Sequence, residues 1–156
     1  MPMISPMLWF NTEAEEAASF YVSIFPNSRI KAVVRRPEGP PGPVGEVMVV
    51  DFELDGAPVS ALNGGPVFQF SEAVSLVVHC KDQAEVDYYW DALIAGGGRE
   101  SMCGWLKDKY GFNWQITPEP LLEIMATQPD KVEKAMAAVM SMRKLDLATI
   151  MAAVEG

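Results

Sequence analysis

Positive charge is in short supply in this chain. Twelve lysines and arginines face 21 aspartates and glutamates, a net charge of −9. A surface of that sign repels phosphate backbones, so nucleic acid is not an expected partner. Histidine is scarcer still, with His79 the sole residue able to titrate near neutrality without a shifted pKa. Only two cysteines occur, Cys80 and Cys103, without close spacing or secretory context. They are expected as free thiols in a reducing compartment. No apolar run approaches the ~20 residues that span a bilayer, so no membrane partner is expected. Met1-Pro2-Met3 lacks the basic flank and apolar core of a signal peptide, and a cytoplasmic location is expected.

What is present suits one domain or two small halves sharing a core. A chain of 156 residues buries roughly 70% of its unfolded surface, enough to fold without a disulfide or metal staple. Ile4 to Phe10 is an apolar run of strand length. Thr12 with Glu15 forms a capping-box pattern before Ala14, Ala17, Ala18, Tyr21, Ile24 and Phe25 at helical spacing. Pro26-Asn27 ends that helix. Arg29 to Arg35 reads as a strand, and Arg35-Arg36 as its solvated end in preference to an anion site. The following segment, 37–43, is too rich in proline and glycine for regular structure. It is a hairpin tip or a pocket lid, with the tip preferred. Glu46 to Leu54 alternates, Asp55-Gly56 signals a hairpin, and Val59 to Asn63 returns. Val67 to Glu72 is a linker or short lid.

The opening pattern then recurs at an offset of 70 residues: Thr12 corresponds to Asp82, Glu15 to Glu85 and Ile24 to Ile94. Ala73 to Cys80 is the strand, Asp82 with Glu85 the cap, and Val86, Tyr89, Trp90 and Leu93 the apolar helix face. Gly96-Gly97-Gly98 ends the helix. A strand, a charged reversal over Lys107 to Gly111, and a strand through Gln115-Ile116-Thr117 follow. Strand, helix and three strands thus appear twice, an architectural signal independent of composition. From Pro129, Val132, Ala135, Met136, Val139 and Met140 mark a helix, and Asp146 can cap a second. These tail helices need cover, either on the outer face of the sheet or on a second subunit.

A tandem βαβββ module within about 120 residues resembles the vicinal oxygen chelate superfamily of glyoxalases, bleomycin-resistance proteins and extradiol dioxygenases. Within it, LWFNTEAEEAASFYVSIFPNSRI, FELDGAPVSALNGGPVFQF, EVDYYWDALIAGG, CGWLKDKYGFNWQITP and the tail MRKLDLATIMAAVEG resemble PhnB-like proteins. That subgroup is often labelled 3-demethylubiquinone-9 3-methyltransferase. The resemblance implies an α+β fold. Two tandem modules would form a curved mixed sheet around a cavity, with helices on the outer face and C-terminal helices beyond. The implied domain spans 1–127, with module one at 1–66, a linker at 67–72 and module two at 73–127; the helical extension is 128–156. In metal-using members the ligands lie on the first and last strands of each module. Counting from the caps and hairpin glycines, the resemblance places them at Ser5, Ser60, Ser75 and Gln115. Three hydroxyls and an amide are a poor donor set for zinc, nickel or iron, so no metal and no cofactor are expected.

His79 and Gln115 are the candidate catalytic residues. By alternation Ser75, Val77 and His79 share a face, and a pocket-facing imidazole could act as a general base; a strand-end histidine bonded to backbone is the preferred alternative. Gln115, Asn113 and Thr117 would form the polar end of a pocket. Trp9, Phe68 and Trp105 are aromatic wall candidates, and Ser60, Asn63 and Ser75 complete the ligand-binding set. Trp114 should face the helices instead. Asp51 and Glu53 read as surface charge, and Cys103 as a weak nucleophile at best. No strand leads through a glycine-rich loop into a helix, so a nucleotide-type S-adenosylmethionine site is not expected. The expectation is a homodimeric, metal-free PhnB-like protein that binds a small, partly aromatic molecule. Its rivals are a transferase or lyase of this fold, including a glyoxalase-like or dioxygenase-like enzyme, and an antibiotic-sequestering binder.

Overall fold

The computed structural model describes all 156 residues. They form two compact units, Met1–Gln69 and Phe70–Gly156. The first holds β1 (Met7–Phe10), α1 (Ala14–Ile24), β2 (Arg29–Arg35), β3 (Val47–Leu54) and β4 (Ala57–Asn63). Its sheet has the order β1-β4-β3-β2, with β1 parallel to β4 and the other pairs antiparallel. Alternation decides the two faces. Leu8, Phe10, Val50, Phe52, Val59 and Ala61 are buried, as are Ala14, Ala17, Ala18, Tyr21 and Ile24 of α1, which packs on β3 and β4. The small alanines let the helix approach closely, and the Tyr21 and Phe52 rings lie 6.3 Å apart. Trp9, Val49, Asp51, Ser60 and Leu62 alternate to the opposite face, where all are half-buried. Asp55 and Gly56, at φ of 47° and 77°, make the tight β3–β4 turn.

Two local expectations need correction here. The first strand begins at Met7, not Ile4, because Pro6 has no amide to place in the ladder; only its carbonyl takes part, accepting from the Ser60 amide. Thr12 does not cap α1. Its own amide donates to Glu13 Oε2, and the Ala14 amide is satisfied from afar by Asn63 Oδ1 at 2.8 Å. The end of β4 therefore supplies the cap that the local sequence was expected to supply.

The second unit repeats the plan with β5 (Leu76–Cys80), α2 (Gln83–Ile94), β6 (Arg99–Glu100), β7 (Trp105–Lys107) and β8 (Asn113–Pro118). The order is β5-β8-β7-β6, again with the first and last strands parallel. Cys80, Leu106, Trp114 and Ile116 are buried, as are Val86, Trp90 and Leu93 of α2. The capping box forms as expected: Asp82 Oδ1 accepts from the Glu85 amide, and Glu85 Oε2 accepts from the Lys81 amide. The charged reversal turns on buried Asp108. Its Oδ1 accepts from the Tyr110 and Phe112 amides and its Oδ2 from Trp114 Nε1. The first strand of this module starts at Leu76, later than the expected Ala73, where its ladder with β8 begins. Neither sheet is closed on itself.

Three helices end the chain: α3 (Glu119–Thr127), α4 (Pro129–Val139) and α5 (Leu147–Glu155). The first was not anticipated from sequence. Leu121, Ile124, Ala135, Val139, Leu145, Ile150 and Val154 form one core. The tail thus finds cover in α3 and within its own unit. It is fastened by the Cys103 and Gly104 amides to the Met142 and Arg143 carbonyls, by Gln83 to Leu145 and Leu147, and by Lys144 to Asp87. No helix is long and apolar enough to cross a membrane.

Candidate functional site

A cleft of about 960 Å³ opens in the first unit, at the end of the sheet where β1 and β4 finish. Trp9, Val47 and Leu62 give it apolar wall. Asn63-Gly64-Gly65 gives one rim, and Arg35, Arg36 and the loop around Pro41-Gly42-Pro43 give the other. Trp9 is held rigidly. Its Nε1 donates to the Gly65 carbonyl at 2.9 Å, and its ring meets Phe68 edge-on with centroids 5.0 Å apart. A Cβ on Gly64 would sit 2.3 Å from the indole, so only glycine lets the ring lie against this backbone. An aromatic surface fixed in advance loses little entropy when a flat molecule stacks on it.

The proline-rich segment is a hairpin tip that also walls the cleft. The Arg36 amide donates to the Glu46 carbonyl, and the Gly45 amide to the Arg36 carbonyl. Arg36 Nη1 then reaches the Pro41 carbonyl at 2.7 Å and Nη2 the Asn63 carbonyl at 3.3 Å. Gly42 lies so close that an added Cβ would meet Arg36 Nε at 2.7 Å. The arginine pair is therefore not simply a solvated strand end. Arg35 is exposed and donates to the Gly45 carbonyl, but Arg36 is half-buried and its Nε is buried without a partner.

The sequence-predicted residues fall into separate groups. In the first unit, Trp9 and Phe68 meet at the cleft. Asn63 lines it too, yet its side chain is already committed: Oδ1 accepts from Ala14 and Nδ2 donates to the Val47 carbonyl. Ser60 lies two residues from Leu62 on the same face and donates to Asp51 Oδ1 at 2.6 Å. In the second unit, Gln115 Nε2 donates to Ser75 Oγ at 2.9 Å, with Val77 and Trp105 as its ladder neighbours. Asn113 is buried and donates to the Ser71 carbonyl. Thr117 is buried opposite His79, whose exposed side chain makes no hydrogen bond or ion pair. Neither the preferred backbone tether nor an acid–base partner accompanies this histidine. Trp114 does face the helix side, as expected. Burial first, then the charges of Glu85, Asp82 and Glu119, push the Cys80 thiol up to about 12, so it stays unreactive near neutrality. Sequence reasoning missed the importance of Arg36 and Gly64. The signal for both was present in arginines abutting a glycine-proline loop and in a double glycine closing a strand.

The fold family's metal does not fit these positions. Ser5 lies before β1 and is exposed. Ser60 is bonded to Asp51, and Ser75 and Gln115 are bonded to one another. No group of three or more His, Cys, Asp or Glu side chains is placed to hold a metal ion. Hydroxyls and an amide that satisfy each other or a nearby carboxylate do not supply the imidazole, thiolate and carboxylate set of a transition-metal site. S-adenosylmethionine also lacks a glycine-rich turn of the nucleotide-binding kind. Gly64-Gly65 follows β4 but leads into irregular chain and then β5, and Gly96 to Gly98 terminate α2.

The sequence pattern of the family described as 3-demethylubiquinone-9 3-methyltransferase matches residues 2–117. The chain belongs to this family. A putative 3-demethylubiquinone-9 3-methyltransferase, PhnB protein, from Bacillus cereus is similar at 35% identity, over 75% of this chain and 99% of its own, with a TM-score of 0.67. Protein PA1353 from Pseudomonas aeruginosa shares the fold at 20% identity, over 76% of this chain and 98% of its own, with a TM-score of 0.63. A glyoxalase/bleomycin resistance protein from Albidiferax ferrireducens T118 does so at 16% identity, over 74% of this chain and 97% of its own, with a TM-score of 0.50. These matches put this PhnB-like chain in the vicinal oxygen chelate fold. No curated protein matches it. All three likenesses leave out about a quarter of the chain, and the family match stops one residue before the end of β8.

Proposed function

We propose that this PhnB-like protein binds a small, partly aromatic molecule in the cleft of its first unit, without a metal ion. The observation that carries the reading is the Trp9 wall. An indole fixed by Gly65, backed by Gly64 and edged by Phe68 borders an open volume large enough for a drug-sized molecule. The Ser60–Asp51 pair adds a hydrogen-bonding group on the same sheet face. Chemistry through His79 and Gln115 is the rival reading, weakened by an exposed histidine with no side-chain partner to orient it. A transferase or lyase activity and an antibiotic-sequestering role stay as alternatives, prompted by relatives named a putative 3-demethylubiquinone-9 3-methyltransferase and a glyoxalase/bleomycin resistance protein. Location in the cytoplasm and assembly as a homodimer belong to the same proposal.

The test is binding of a neutral flat probe, 2-naphthol, followed by tryptophan fluorescence and calorimetry, with metal content measured on the same sample. Wild-type protein should bind without stoichiometric metal. Trp9→Ala should weaken binding by about fivefold or more, and Phe68→Ala by less, in line with stacking energies of about 1 kcal/mol. Binding that survives both substitutions unchanged would show that the cleft is not the binding site. Turnover of any ligand found this way, lost in His79→Ala or Gln115→Ala, would favour the enzyme reading.

A further inference from the structure

The guanidinium of Arg36 is the one charged group of the cleft whose surroundings call for a ligand. It makes two hydrogen bonds, both to neutral carbonyls, those of Pro41 and Asn63. Its Nε is buried and has no partner. A guanidinium offers five N–H donors, so most of its capacity is unused. Gly42 covers the buried Nε and puts it out of a ligand's reach, so a ligand would take the remaining hydrogens on Nη1 and Nη2. Neither Arg36 nor Arg35 forms an ion pair. Two carboxylates, Glu15 and Glu46, line the same cleft, yet both are exposed and neither reaches the arginines. A half-buried cation facing a cleft with no counter-ion of its own is poised for an oxyanion.

We propose that the cleft recognises a compact oxyanion, carboxylate or phosphate, carried by the flat ligand that Trp9 stacks. Arg36 supplies the forked donors and Arg35 supplies further positive charge at the rim. The loop at Pro41-Gly42 holds the guanidinium in place, because its carbonyl anchors Nη1 and its missing side chain allows the close approach. This inference rests on the binding role proposed above, and it narrows the ligand class to anions.

Four probes sharing one ring system test it: 2-naphthoate, 2-naphthyl phosphate, 2-naphthamide and 2-naphthol, with inorganic phosphate as a competitor. At least one of the two anions should bind about tenfold or more tighter than the two neutral probes, the scale of one charge-assisted hydrogen-bonded pair. Whichever anion is tighter identifies the group. Added salt should weaken the anion and leave the neutral probes unaffected. Arg36→Gln should bring anion and neutral affinities together, while Arg36→Lys, which keeps the charge but loses the fork, should fall between. Because Arg36 also anchors the loop, the salt titration of wild-type protein stands as the readout free of folding effects. If neutral and anionic probes bind alike with equal salt response, the anion inference is overturned and the aromatic cleft survives. If no probe binds, both fall. If the anion preference survives Arg36→Gln, Arg36 is not the recognition group and the inference is overturned.

Discussion

The two modules share a beginning and part ways in the middle. Strand, helix and parallel first-to-last strand pairing are the same in both, and β1 and α1 recur about 70 residues later as β5 and α2. Between helix and last strand they differ. Module one extends β2 and β3 to seven and eight residues, with a proline-rich tip between them. Module two shortens the equivalents, β6 and β7, to two and three. The long hairpin folds its tip over Arg36 and builds a cleft. The short hairpin leaves Cys103 and Gly104 to accept the tail, whose Met142 and Arg143 carbonyls pair with their amides. One plan therefore yields a half with an open cleft and a half bound to its own C-terminal helices. The difference resides in hairpin length, because the faces buried by α1 and α2 follow the same alternation.

The largest effect should come from the turn that frames module two. Asp108→Ala removes the carboxylate that accepts from the Tyr110 and Phe112 amides and the Trp114 indole, the last two in a buried setting. A loss of about 3 kcal/mol in chemical denaturation is expected, since each orphaned donor costs about 1 kcal/mol or more. Ligand binding at the module-one cleft should survive under conditions where the variant remains folded. Next come the caps, which contrast the modules directly. Asn63→Ala removes both the Ala14 cap and the bond to Val47, and should cost about 1–2 kcal/mol. Asp82→Ala removes a local cap alone and should cost about 1 kcal/mol. Only the Asn63 variant should also perturb the cleft, because Asn63 lines it. Equal effects on ligand binding would erase that distinction.

The smallest effect concerns acid. Hydrogen bonds from the Thr149 backbone and side chain hold Asp146 below its ordinary value, and bonds from Gln83 and Lys144 do the same for Asp87. A depressed carboxylate stabilises the folded state above its unfolded pKa and loses that contribution as pH falls through its folded pKa. The tail should therefore loosen below about pH 3.8, the ordinary aspartate value. Limited proteolysis by an acid protease, read against pH, should cut the tail before module one. Asp146→Asn should blunt the pH dependence. An unchanged profile in that variant would show that the tail is held by its apolar core alone.

Much of the fold was legible because its signals were local and periodic. The 70-residue repeat, the Asp82–Glu85 cap and the Asp55-Gly56 turn each sit within a few residues. What escaped was non-local. Thr12 carried a capping pattern, but the satisfied acceptor came from Asn63, 49 residues from Ala14. Helix α3 lies under a proline-bearing start that no capping side chain announces, and its apolar face is apparent only once Ala135 and Ile150 pack against it. The candidate site was half legible. Trp9 and Phe68 read from sequence as aromatic walls, and they meet. Arg36 reads from sequence as the end of an exposed strand, and its burial depends on a loop folding back over it. The resemblance-derived count to Gln115 and Ser75 did find two side chains that touch, yet their contact is with each other.

The cleft reading stands or falls on whether module one carries the ligand site. Nuclear magnetic resonance of the 15N-labelled protein titrated with 2-naphthoate tests it most directly, because the four tryptophans give four indole signals. The Trp9 indole and the Arg36, Gly64 and Gly65 amides should shift, with the Trp105 indole and the Gln115 side-chain amide unmoved. Shifts concentrated at Trp105 and Gln115, with Trp9 silent, would contradict it.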